Sequence, residues 1–180
     1  MCYNKKHMIF IICFLFNGVY GIMNKRFIIT ISWVLVFLWM LIIFRLSSQV
    51  AEDSNGLSLG ITGLLQKTLD KIVQTDSGSL NHLVRKGAHF SAYMLLAVLS
   101  SNAVRQSGIR GLKSLAAALG ICVLYAASDE IHQLFVAGRS GQPLDVLIDS
   151  LGACVGIGIF TLVKHCRLGK NSRRLNKQST

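Results

Sequence analysis

Four apolar stretches separated by polar connections set the plan of this chain. Phe27 to Phe44 gives 18 residues without a charge, enough for a helix to cross a hydrocarbon core about 30 Å thick. Gly87 to Val104, about Ser114 to Phe135, and Leu144 to Val163 are the second, third and fourth stretches. Ser79 or Asn81 can cap the helix carrying the second, and Arg105, Arg110 and Lys113 close it. Gly138, Gly141 and Pro143, the only proline, turn the chain before the fourth. Between the first two stretches, Ala51 to Ser79 is polar and rich in Gly and Ser. Within it Leu57, Ile61, Leu64, Leu65, Leu69, Ile72 and Val73 recur at helical spacing, with Gln66, Lys67, Asp70 and Lys71 on the other side, a pattern for a short helix lying on a membrane surface. The expected fold is an all-α integral membrane protein, a bundle of four transmembrane helices with a surface amphipathic helix between spans one and two.

Met8 to Met23 is a shorter apolar run, broken by Asn17, Gly18 and Gly21 and preceded by Lys5 and Lys6. It is shaped like a signal-peptide core but lacks a small-residue cleavage site. Met23-Asn24-Lys25-Arg26 reads as a charged start of its own. Residues 1–22 are therefore set apart as an N-terminal extension or signal-like segment, 23–163 as one four-span membrane domain, and 164–180 as a basic, disordered cytoplasmic tail that touches anionic lipid.

Composition agrees with the pattern. With 52% hydrophobic and 15% charged residues and a mean hydropathy of +0.50, the bilayer is the expected solvent. A net charge of +11 would suit nucleic acid, but the Lys and Arg residues flank apolar runs, so the charge orients the chain and no nucleic-acid partner is expected. From Met23 onward, eleven basic residues fall on the side of the N-terminus and six on the other, which places both termini in the cytoplasm. The five cysteines form no CxxC pair, and Cys122 and Cys154 lie inside apolar runs, as small hydrophobes do.

In this topology the polar ends of spans two, three and four share the outer side. Arg85, His89 and Tyr93 follow one another at i, i+4 and i+8 with Lys86 beside them, so they line one helix face. Asp129, Glu130 and Gln133 end span three, Arg139 sits in the turn, and Asp145 opens span four with Asp149 one turn deeper. A charge near the bilayer centre costs about 2.5 to 3.5 kcal/mol on insertion scales, so these groups need partners. The expected pairs are Arg85 or Lys86 with Asp129 or Glu130, and Arg139 with Asp145. Gly152 and Gly156 form a GxxxG, with Ser150, Cys154 and Gly158 as a second small row. Phe90 is read as a packing or lipid-facing residue, Tyr93 as an ordinary interfacial tyrosine, and His82 and His132 as solvated interfacial residues. No HxH or HExxH spacing occurs, and neither a metal nor another cofactor is expected.

Taken together, Arg85-Lys86-x-x-His89-Phe90-x-x-Tyr93, Ser128-Asp129-Glu130-x-x-Gln133-x-Phe135-x-x-x-Arg139 and Asp145-x-x-x-Asp149-x-x-Gly152 resemble the VanZ-like family. Ser47-Ser48-Gln49 after span one looks like that family's opening motif, and the likeness runs from about Arg26 to Val163. Asp149 departs from the pattern, which usually has asparagine there. The resemblance implies a small bacterial membrane protein of a family whose namesake is associated with low-level resistance to teicoplanin, a lipoglycopeptide acting outside the cytoplasmic membrane. Three readings follow for the outer cluster. The first is a binding or transporter-like site for an anionic envelope or lipid-linked ligand, or the lipoglycopeptide, held by Arg85, Lys86 and Arg139. The second is an enzyme acting on a lipid head group, with His89 as acid or base and Asp129 or Glu130 orienting it; no nucleophile is identified, so it ranks lower. The third is a structural or partner-binding protein whose charges only hold the bundle.

Overall fold

The computed structural model describes residues 24–48, 77–136 and 142–178. They form four helices and no strand: α1 (Lys25–Ser47), α2 (Ser77–Gln106), α3 (Leu112–Gln133) and α4 (Pro143–Gln178). The expected surface helix over 57–73, residues 1–22 and Arg139 lie outside the described residues.

Local chemistry sets the ends. Asn24 caps α1 by accepting the Arg26 N–H on its side chain at 3.3 Å, and its carbonyl takes the amides of Phe27 and Ile28, so the Arg26 and Phe27 amides, two of the donors a helix start leaves over, are met. The α2–α3 turn bends through Gly108 (φ 99°) and Gly111 (φ 69°), angles that a side chain resists. Beyond Gln133, the amides of Leu134, Phe135 and Val136 bond back three residues, tightening the last turn of α3. α4 begins at Pro143, where the missing N–H costs nothing, and continues to Gln178. The tail expected to be disordered from Lys164 is therefore helical to Gln178, since no proline interrupts it and a helix once started adds residues at little further cost.

The order of contacts gives an up-down-up-down bundle. Trp39 Nε1 donates to the Ala92 carbonyl at 2.9 Å and Trp33 Nε1 to Ser107 Oγ at 3.0 Å, so α1 and α2 run antiparallel. Tyr125 donates its hydroxyl hydrogen to the Met40 carbonyl at 2.6 Å and Ser47 to Asp129, so α1 and α3 run the same way. α2 packs against all three other helices, and Tyr93, Leu96, Ala97 and Ala103 on it have no exposed surface.

That central place explains its composition. Among the described residues, three helices are long and apolar enough to cross a membrane: Lys25–Ser47, Leu112–Gln133 and the Pro143–Cys166 part of α4. α2 is long enough at 30 residues but carries Arg85, Lys86, His89, Ser100, Ser101 and Asn102, which its neighbours shield. The other helices present large apolar side chains outward, as with Phe37 at 61%, Leu124 at 74% and Leu151 at 61% exposure, the surface that lipid covers.

Candidate functional site

The site begins with two glycines. A Cβ on Gly152 would collide with the Phe90 carbonyl oxygen, and one on Gly156 with that of Met94. α4 therefore lies backbone to backbone on α2, as its GxxxG spacing predicts. The two helices run parallel, because 152 meets 90 and 156 meets 94. Toward the start of both helices, the same close approach brings Asp149 to His89 and Asp145 to Lys86, two to three residues off the strict register of the glycines.

Those are the pairs observed. Lys86 Nζ lies 2.9 Å from Asp145 Oδ1, with both side chains about one-fifth exposed (22% and 20%). One turn deeper, His89 Nδ1 is 3.9 Å from Asp149 Oδ2. Asp149 is fully buried, and neither of its oxygens receives a hydrogen bond. Tyr93 lies deeper again, at 0% exposure with its hydroxyl unpartnered. Its ring sits 6.2 Å from that of Tyr125, within electrostatic reach of Asp129 and Asp149. It is thus a core residue, and the expectation of an ordinary interfacial tyrosine is corrected: the face of α2 that carries Arg85 and His89 points into the bundle.

α3 supplies the third wall. Asp129 Oδ2 accepts from Ser47 Oγ at 2.7 Å and from Gln133 Nε2 at 3.4 Å. Glu130 takes the Gln142 backbone N–H on Oε2 at 3.0 Å and Gln133 Nε2 on Oε1 at 3.3 Å. Glu130 thereby fastens the start of α4, whose first turn closes with Asp145 N on the Gln142 carbonyl. All three side chains are buried, and mutual hydrogen bonding is what makes such burial tolerable.

Together these walls enclose a small cavity at one end of the bundle. Arg85, Lys86 and His89 line it from α2, Glu130 and Gln133 from α3, and Asp145, Ile148 and Asp149 from α4. Seven residues expected from three separate stretches of sequence thus meet in one place. Asp129 turns toward α1 instead, and Tyr93 lies in the core beneath.

The expected pairing of Arg85 or Lys86 with Asp129 or Glu130 is corrected, because the close α2–α4 seam hands Lys86 to Asp145, while Ser47 of α1 donates to Asp129 Oδ2 and the Gln142 amide to Glu130 Oε2. His132, expected to be solvated, is half-buried: its Nε2 meets Ser48 Oγ at 3.0 Å and its ring lies 4.4 Å from that of Phe44. Sequence reasoning also missed Ser47, fully buried, as the partner of Asp129. The signal was the serine pair directly after an apolar span.

Chemically, the cavity places two cations and a histidine against three carboxylates. His89 beside Asp149 is an arrangement that can carry a proton. Among the described residues, no serine, threonine or cysteine lines the cavity, and there is no group of three or more His, Cys, Asp or Glu suited to hold a metal. Cys122, Cys154 and Cys166 are free thiols.

No curated protein and no solved structure matches the chain. The sequence pattern of the VanZ/LLP1 family does, over residues 32–164. That range takes in most of the chain and every residue lining the cavity, so the chain belongs to the VanZ/LLP1 family.

Proposed function

We propose that this is a four-span protein of the bacterial cytoplasmic membrane whose cavity faces outward, binds an anionic envelope or lipid ligand through Arg85, and so lowers susceptibility to teicoplanin. α2 is the span that composition alone does not pick out. At 30 residues it covers about 45 Å as a helix, and its charges are sheltered by the other three. The observation that carries the binding reading is Arg85, which lines the cavity and forms no ion pair with a described residue, whereas Lys86 beside it is held by Asp145. A guanidinium in a polar cleft is suited to phosphate or carboxylate. Arg139, in the neighbouring turn, would add a second cation.

The test is teicoplanin and vancomycin susceptibility in a host lacking the gene, complemented by wild type, Arg85→Ala, His89→Gln or Asp129→Asn, with membrane levels of each protein measured. Wild type is expected to protect against teicoplanin selectively, and Arg85→Ala to lose protection at unchanged level. Loss of protein together with protection would favour a purely structural role for the charges, and no protection by wild type would sink the resistance role.

The His89–Asp149 approach favours one second reading, a membrane enzyme in which His89 is the general acid or base. Asp149 rather than Asp129 or Glu130 would orient it. His89→Gln discriminates, since glutamine retains hydrogen bonding without titrating: it would spare binding and abolish turnover.

A further inference from the structure

The cavity has an acidic floor that anion binding at Arg85 leaves unused. Asp149 is fully buried, lines the cavity and has two oxygens that receive no hydrogen bond. Its neighbours do not supply one. His89 Nδ1, at 3.9 Å, is beyond hydrogen-bonding distance. Lys86 is turned to Asp145. On α3, Gln133 donates to Asp129 and Glu130. A buried carboxylate in such surroundings is costly unless donors reach it. The space above it is about that of one water molecule, which is also the size of a primary ammonium with its three N–H donors.

Resting on the assignment of Arg85 as the anion site, we infer that the ligand is zwitterionic: a primary ammonium donates to Asp149 at the floor while a phosphate or carboxylate meets Arg85 at the rim. An aminophospholipid head group has this chemistry, and so does a soluble phosphorylated amine. A choline head group does not, because its quaternary nitrogen has no N–H and is too bulky for the floor. A glycerol head group offers the anion alone.

The full chain, purified in detergent, is titrated with phosphatidylethanolamine, phosphatidylcholine and phosphatidylglycerol, with and without O-phosphoethanolamine, and retained lipid is read by native mass spectrometry. Wild type is expected to retain the ethanolamine lipid about ten- to a hundredfold better than the choline lipid, the range that a hydrogen bond to a charged group supplies. Asp149→Asn, nearly isosteric, is expected to lose that margin while still retaining phosphatidylglycerol. Arg85→Ala is expected to weaken both lipids. Competition by O-phosphoethanolamine places recognition in the head group alone, and its absence makes the intact lipid the ligand; either supports a zwitterion site. Equal retention of ethanolamine and choline lipids by wild type overturns the ammonium assignment whether or not the variants fold, and so does an unchanged preference in Asp149→Asn. In those cases a loss of phosphatidylglycerol in Arg85→Ala leaves the anion site standing, whereas no loss there overturns both.

Discussion

Ser47 ends α1 with no exposed surface and donates its hydroxyl hydrogen to Asp129 at 2.7 Å, joining the first and third helices at the cavity end. One to two turns further into the same pair, Tyr125 donates to the Met40 carbonyl at 2.6 Å. Hydrogen bonds between membrane helices average about 0.6 kcal/mol and reach about 1.7 kcal/mol. Ser47→Ala and Tyr125→Phe are each expected to lower stability within that range, with Ser47→Ala at the upper end because it leaves a buried carboxylate with one donor fewer. Thermal unfolding in detergent measures both. If Ser47→Ala unfolds like wild type, Asp129 does not depend on α1. The sequence shows that such residues exist but not whom they meet. Charge alone pairs Lys86 with either acid of α3 as readily as with Asp145, and a serine after an apolar run reads as an exit from the membrane. Partner choice depends on how each helix is rotated about its axis, which is a property of packing.

At the scale of elements, that rotation is fixed by the α2–α4 seam. Gly152 and Gly156 meet carbonyl oxygens of α2, whereas Gly158, in the second small row, faces open space. Of the two small rows read from the sequence, the one through Gly152 and Gly156 is therefore the close backbone contact with α2, and spacing could not say which of the two it would be. Gly152→Val should force the helices apart and cost about 1 to 3 kcal/mol or more, the range for overpacking. Because Asp149 and Asp145 lie in the turns just before Gly152, it should also separate them from His89 and Lys86 and abolish ligand retention. Gly158→Val is expected to change neither stability nor retention. Equal damage from both valines, in thermal unfolding and lipid retention, would mean that the seam does not set the site. The helices themselves were legible from apolar runs, and so was the meeting of seven polar residues at one end, because alternation of direction puts the polar ends of α2, α3 and α4 together. The length of α4 was not, since a basic stretch without proline can be coil or helix and its composition does not decide.

At the scale of the whole molecule, alternation leaves one choice open, which end of the bundle faces out. The cavity lies where α1 and α3 end and where α2 and α4 begin. The opposite end holds Lys25 and Arg26 at the start of α1, and Arg105, Arg110 and Lys113 around the α2–α3 turn. Cationic residues collect on the cytoplasmic side, so the cavity is expected outside. In intact cells expressing a chain whose native cysteines are replaced, a membrane-impermeant maleimide should label Ser54→Cys and Gly141→Cys but not Gly108→Cys until the membrane is opened. Each position tests a different step. Ser54 and Gly108 flank α2, so equal labelling at these two would mean that α2 does not cross. Labelling of Gly108 alone would keep four spans but turn the cavity inward. The charge bias would then have misled, and a lipoglycopeptide acting outside the membrane could not meet the site.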